Sequence, residues 1–491
     1  MNRNYYPATL LCDFYKISHR EQYPKNTKKI YATWTPRTSR IQGVNEVIFF
    51  GLQAFIKEYL IDYFNENFFN RDIEDVINEY ERVLKYTLDK EIVDSEHIRS
   101  LHRLGYLPIR IKAVEEGIRI PIKTPMFTIE NTVDEFFWVT NYLETLMSCM
   151  LWQPMTSATI SNEYRKILDK YAIETTGTTD GVQFQGHDFS MRGMSSLESA
   201  KSSGAGHLLS FVGTDTIPSI LYMEQFYNAN LEKDLIGTSI PATEHSVQCA
   251  YGQEDEINTY KRLINDIYPN GLVSIVSDTW DLWKVLTEYI PQLKTDILKR
   301  DGKVVIRPDS GDPVKIICGD EESDNPNTRK GVIEILWDIF GGTITEQGYK
   351  VLDSHIGAIY GDAITLDRCR EICEKLKEKG FASTNMVYGI GSFTYQYNTR
   401  DTFGFALKTT YSVVGNEERF LFKNPITDNG VKKSQRGKVA VINNGENIGY
   451  IDGLNWEQER DLANNMLETV FFNGRLIKEY SLNEIRSNVN N

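Results

Sequence analysis

The sequence predicts an α/β protein: a closed barrel of successive parallel strands in the middle of the chain, with a second α+β domain formed by both chain ends. Three observations carry this prediction. Short β-rich apolar runs in the middle each end in a cluster of Gly, Asp, Ser, Thr, His or Arg and then pass into a helical pattern. These clusters recur about every 30 residues, the length of one βα unit. At both flanks the pattern stops.

The clusters are marked by Ser157 in MTSATIS, Asp188 in GHDFSMRG, Asp215 in FVGTDT, His245 in SIPATEHS, Asp278 in VSIVSDTW, Asp309 in VVIRPDSGDP, Asp362 in GAIYGDAIT and Gly391 in VYGIGSF. One long step, from Asp309 to Asp362, holds an insertion that includes CGDEESDNPNTRKG, polar and turn-rich enough for a surface loop. The barrel is expected over residues 151–394, with chemistry where strands hand over to helices. Residues 1–150 mix helical stretches such as FIKEYLIDYFNENF with β-like runs such as LPIRIKAVEEGIRIPI. Residues 395–491 turn to short strands, as in TTYSVVGNEERFLFKNP and KVAVINNGENIGYIDG, and the two ends are expected to form the flanking domain together.

At 491 residues the chain exceeds one ordinary hydrophobic core, and its 41% hydrophobic and 25% charged residues are those of a folded protein. A net charge of −14 argues against a nucleic-acid or anionic-membrane partner, which needs a basic footprint. The six cysteines are scattered apart from Cys369 and Cys373, one helical turn apart, which is not a zinc site. No stretch approaches the ~20 apolar residues of a membrane span, and the amino terminus has no signal-peptide run, so a cytoplasmic location is expected.

Several strand ends carry groups with two readings. Arg307, Asp309, Ser310, Gly311 and Asp312 form either a cradle for a sugar diphosphate with a magnesium ion on Asp309, or an Asx-type turn. GIGSF, around Gly391 and Ser392, either presents N–H groups to a phosphate or simply turns the chain; Gly361 and Asp362 carry the same ambiguity. His245, beside Glu244 and one unit from Asp278, is a general base, a phosphoryl acceptor or a structural histidine. Phe189 and Arg192 offer an aromatic face and a guanidinium, or packing and surface charge. His187 and His355 read as structural. Arg37, Arg400, Lys408 and Lys423 lie in the flanks, where a solvated face is the simplest reading.

Taken together, DFYKISHREQYP, VIFFGLQ, LPIRIKAVEEG, HDFSMRG, FVGTDT, SIPATEHS, VSIVSD, IRPDSGDP, GDAIT, NTRD and FKNP resemble the nicotinamide phosphoribosyltransferase family within the type II phosphoribosyltransferases, almost end to end. The resemblance implies that family's irregular (β/α) barrel. It also implies a homodimer in which the flanking domain of one subunit serves the active site of the other. The implied reaction joins nicotinamide to phosphoribosyl pyrophosphate, giving nicotinamide mononucleotide and pyrophosphate in NAD salvage, with magnesium as cofactor and ATP as co-substrate.

By the same resemblance, Phe189 and Tyr15 of the partner subunit sandwich the nicotinamide ring, Asp13 belongs to substrate binding, and Asp215 accepts a hydrogen bond from the carboxamide. Arg307 lies close to the ring. Asp309, Gly361 and Asp362 hold the ribose, while Gly391 and Ser392, with Arg400 and Lys408 of the partner subunit, hold the 5-phosphate. Arg37, Arg192 and Lys423 face the pyrophosphate. His245 is the histidine phosphorylated by ATP, oriented by Asp278.

Three departures stand out against the family pattern: Ser392 and Phe393 where glycine is usual, Ala406 where a serine is frequent, and the basic stretch 431–438, to which no contact is assigned. The competing readings are a nicotinate phosphoribosyltransferase and a catalytically inactive binding relative. Asp215 speaks against the first, because an aspartate repels a carboxylate substrate and accepts an amide N–H.

Overall fold

Runs of β-branched and aromatic residues become the strands of two large sheets, one antiparallel and one parallel, beside three two-stranded ones. The computed structural model describes residues 6–88, 93–361, 363–423, 435–445 and 447–490. The chain divides into two compact units, one of Met1–Thr156, Gln225–Ala229 and Thr399–Asn491, the other of Ser157–Glu224 and Asn230–Asn398.

The first unit is built on a seven-stranded sheet to which both flanks contribute. Thr27–Thr35 pairs antiparallel with Ala406–Val414 on one side and with Phe127–Asn131 on the other. Ile109–Ala113 and Glu468–Phe472 extend it. Trp34 is fully buried at its centre, stacked on Phe127 at 5.7 Å and on Phe405 at 5.5 Å. Rings of this size each bury about 150–250 Å², so this stack anchors the sheet.

In the second unit six short strands form a parallel sheet: β1 (Gly186–Asp188), β2 (Gly213–Thr214), β3 (Val273–Val276), β4 (Val304–Arg307), β5 (Ile356–Tyr360) and β6 (Met386–Ile390). Their order is β2-β1-β6-β5-β4-β3. Val273, Ile275, Val304, Ile306, Ile356, Ala358, Met386 and Tyr388 are buried, as parallel strands covered by helices require. The segment 238–242 joins the two sheet edges, because Thr238 bridges Gly213 and Ala242 bridges Ser274, both in parallel. Backbone bonds of 2.7–3.0 Å tie it to Val212, Thr214 and Ser274, so the sheet curls into an irregular barrel.

Two expectations are corrected. Ser157 does not end a strand: it lies inside the 33-residue helix Glu144–Thr176. Its small, β-branched neighbours instead allow close helix contact, with Ser157 Oγ 2.7 Å from Ser203 Oγ and Ser161 Oγ donating to the Gly206 carbonyl at 3.2 Å. The insertion is also more than a loop. Asn325 caps a helical stretch, Pro326–Phe340, broken at Gly331 (φ 78°, ψ 172°), and a hairpin of Gly342–Ile344 with Lys350–Leu352 follows.

Candidate active site

Phe189, Asp215, His245, Asp278, Asp309, Gly361 and Gly391 follow β-strands or the closing segment on one side of the barrel. A cavity of about 480 Å³ there is lined by Phe189, Arg192, Asp215, Arg307, Asp309, Gly361, Gly391 and Ser392 among others. Eight of the sequence-derived candidates in the barrel thus share one space; His245 and Asp278 are not in its lining but neighbour Asp309, and Asp362 lies outside the described residues.

Glycines shape this space. A Cβ on Gly389 would come 2.7 Å from the Phe189 ring and 2.7 Å from Gly361 Cα, so the bare strand β6 lets the ring lie flat. A Cβ on Gly193 would fall 2.0 Å from Ser392 Oγ, which places the Arg192 turn hard against the turn at Gly391. Gly391 is extended, at φ −92° and ψ −176°, and Ser392 opens the short helix Ser392–Tyr395. Beneath this turn the Ile364 carbonyl accepts from Tyr164 Oη at 2.7 Å and from Thr394 Oγ1 at 3.0 Å. Phe393 is exposed and stacks on Tyr397 at 5.2 Å.

Asp215 is firmly held. Its Oδ1 accepts from His187 Nε2 at 2.9 Å and from Ser239 Oγ at 2.5 Å. Burial acts to raise its carboxyl, but these two bonds and the electrostatic attraction of His187 and Arg307 outweigh burial and hold it below the usual carboxylate range. Arg307 in turn donates through Nη2 to the Thr243 carbonyl, which fixes the guanidinium at the end of β4.

His245 starts the helix His245–Tyr251 and stands half exposed. Its Nδ1 lies 3.0 Å from Thr279 Oγ1, and its Nε2 lies 3.8 Å from Asp309 Oδ2 and 4.0 Å from Asp278 Oδ1. Asp278 makes its bonds elsewhere: Oδ2 accepts from Asp309 N at 2.8 Å and Ser310 Oγ at 2.5 Å. Asp278 Oδ1 is buried without a hydrogen-bond partner. The hydrogen-bond partner of His245 is thus Thr279, with Asp278 at ion-pair distance on the other ring nitrogen and also bonded to the turn that carries Asp309.

The remaining candidates lie in the other unit. Lys408 stands opposite Thr33 across the sheet. Arg37 Nε donates to the Gly404 carbonyl at 2.9 Å, and the Arg400 carbonyl accepts from Phe405 N at 3.1 Å. Burial lowers the Lys408 ammonium, Glu144 opposes this, and the charges of Arg37, Arg400 and Lys16 add to it. Those shared charges mark a local basic cluster of the kind that an anion would relieve. Asp13 Oδ2 accepts from Thr145 at 2.9 Å; Tyr15 is 55% exposed and Lys423 is exposed.

Sequence reasoning missed His187, Ser239, Thr279, Gly193 and Gly389. For His187 a signal existed: it stands two residues before Phe189 at the end of a strand, and such residues share a face.

Residues 184–475 match the model of the nicotinate phosphoribosyltransferase family, and residues 8–111 match that of the nicotinamide phosphoribosyltransferase N-terminal domain. A nicotinamide phosphoribosyltransferase of Acinetobacter baylyi is 50% identical over 487 residues, covering 96% of this chain and 95% of the relative. The chain belongs to the nicotinamide phosphoribosyltransferase family. Among solved structures, nicotinate-nucleotide pyrophosphorylase from Pyrococcus furiosus covers 100% of this chain and 97% of its own at a TM-score of 0.57 and 16% identity. Human nicotinic acid phosphoribosyltransferase covers 98% and 93% at a TM-score of 0.52 and 14% identity. At these identities the two structures speak for a shared fold, that of the type II phosphoribosyltransferases.

Proposed function

We propose that this enzyme transfers the 5-phosphoribosyl group of phosphoribosyl pyrophosphate to nicotinamide, giving nicotinamide mononucleotide and pyrophosphate in NAD salvage. The observation that carries the choice of nicotinamide is the charged carboxylate of Asp215 beside the Phe189 ring. It accepts an amide N–H and repels the carboxylate of nicotinate. Phe189 supplies an aromatic face for the pyridine ring.

The pyridine nitrogen attacks the anomeric carbon while the bond to pyrophosphate breaks, and positive charge develops on the ribose. Asp309 stabilises that charge, and Arg192 the leaving anion. Gly391 and Ser392 hold the 5-phosphate through backbone N–H groups. The working species is a homodimer in which Asp13, Tyr15, Arg37, Arg400, Lys408 and Lys423 serve the active site of the partner subunit. No helix among the described residues is long and apolar enough to cross a membrane.

No group of three or more His, Cys, Asp or Glu side chains among the described residues would cage a metal. Asp309, with the unpartnered Asp278 Oδ1 also close to His245, suits a magnesium ion that keeps most of its ligands from water and substrate phosphates. When bound, that ion supplies positive charge to the pyrophosphate.

ATP couples through His245. With Nδ1–H donating to Thr279, the Nε2 lone pair attacks the γ-phosphorus of ATP, ADP leaves, and a phosphohistidine forms beside Asp309. Its hydrolysis to phosphate regenerates the ring.

The Asp215→Ser variant tests the substrate choice. Its nicotinamide-to-nicotinate ratio of kcat/KM is expected to fall by about tenfold to a hundredfold, the scale of one charged hydrogen bond. An unchanged ratio contradicts the role of Asp215.

A further inference from the structure

Asp215 does not stand alone, and the way it is held has a consequence for substrate choice. Its two side-chain bonds from His187 and Ser239 both fall on Oδ1, which leaves Oδ2 without a donor among the described residues. The carboxylate is about half exposed, at the wall shared by the cavity described above and a second cavity of about 310 Å³ inside the barrel.

The His187 ring is clamped in place. It is buried, packs against the Phe189 ring at a centroid distance of 4.5 Å and an angle of 39°, and lies over Gly213, its register partner on β2. A Cβ on Gly213 would come 2.8 Å from His187 Nδ1, so only glycine admits the ring in this position. Nδ1 has no hydrogen-bond partner among the described residues, whereas Nε2 must donate, because its partner is a carboxylate. The bond from Nε2 favours the charged form of the Asp215 carboxylate that receives it.

We propose that His187 is a positioning residue for substrate choice: with Ser239 it fixes Asp215 through Oδ1 and turns Oδ2 to the carboxamide of nicotinamide. The same imidazole supports the Phe189 ring from the side. One side chain thereby sets both the face on which the pyridine stacks and the oxygen that reads its substituent. This inference rests on the proposed nicotinamide reading of Asp215.

The test compares wild type with His187→Leu, His187→Gln and Ser239→Ala, measuring kcat and KM for nicotinamide and nicotinate together with thermal stability. His187→Leu removes the donor. Gln can return an N–H to the Nε2 position, and Ser239→Ala removes the second donor at an exposed site without touching the core. His187→Leu is expected to raise KM for nicotinamide about tenfold with a smaller change in kcat, and to lower the nicotinamide-to-nicotinate ratio about tenfold or more. His187→Gln is expected to recover most of both, and Ser239→Ala to shift the ratio in the same direction. If His187→Leu fails to fold, Ser239→Ala and His187→Gln decide: a wild-type ratio in Ser239→Ala overturns the clamp. A wild-type preference for nicotinamide that survives His187→Leu overturns this inference alone. Preference of the unmodified enzyme for nicotinate overturns the reading of Asp215 as well.

Discussion

The Nδ1 atom of His245 lies 3.0 Å from the hydroxyl of Thr279, and this contact turns Nε2 toward the carboxylates of Asp278 and Asp309. A threonine hydroxyl thus does what a carboxylate does in many catalytic histidine pairs. It orients the ring without adding a charge of its own.

Thr279→Val keeps the shape and removes the hydroxyl. The phosphoenzyme formed from labelled ATP is expected to appear about tenfold more slowly, the scale of one lost orienting bond, while turnover without ATP stays near wild type. His245→Ala is expected to abolish the label. Equal labelling of Thr279→Val and wild type speaks against the orienting role.

Gly389→Ala places a methyl group 2.7 Å from both the Phe189 ring and Gly361 Cα. One of these must move, at about 1–3 kcal/mol for an overpacked site. A raised KM for nicotinamide and a lowered melting temperature are expected, read by steady-state kinetics and thermal denaturation. A variant with wild-type KM shows that the ring position is not set by β6.

His207 is fully buried, with Nδ1 2.7 Å from Tyr395 Oη and Nε2 2.9 Å from the carbonyl of Gly213, the residue under His187. Burial pushes its pKa down to about 4. The unfolded chain therefore takes up a proton below the ordinary value of 6.5 that the folded chain refuses until about pH 4. Stability from this group is complete above that ordinary value and is lost as pH falls, by up to roughly 3 kcal/mol. His207→Gln is expected to be less stable at neutral pH, yet to lose less further stability between pH 7 and pH 5 than wild type. Equal losses in both proteins remove His207 as a source of acid sensitivity.

Lys408 shares its surroundings with Arg37, Arg400 and Lys16, with only Glu144 opposing. Lys408→Ala is expected to raise KM for phosphoribosyl pyrophosphate about tenfold, to leave KM for nicotinamide within about twofold, and not to lower the melting temperature. A uniform loss in kcat for all substrates, or none, contradicts a phosphate role.

Much of the barrel was legible because β-rich runs ending in Asp188, Asp215, Asp278, Asp309 and Gly391 repeat at the length of a βα unit. Ser157 misled because small and β-branched residues suit a strand and also a tight helix contact, and local sequence does not separate the two. The closing segment 238–242 carries Pro241 and makes only isolated bridges, so its role depends on partners distant in sequence. The acidic and basic candidates were named from motifs. Their partners were not: the contacts of His187 with Gly213 and of His245 with Thr279 arise from strand register and from a neighbouring turn. Spacing along the chain carries neither.

The central claim is tested most directly by product formation with phosphoribosyl pyrophosphate and magnesium, comparing nicotinamide with nicotinate, each with and without ATP. Nicotinamide mononucleotide is expected as the dominant product, with a higher yield when ATP is present. Nicotinate mononucleotide as the dominant product would contradict the account.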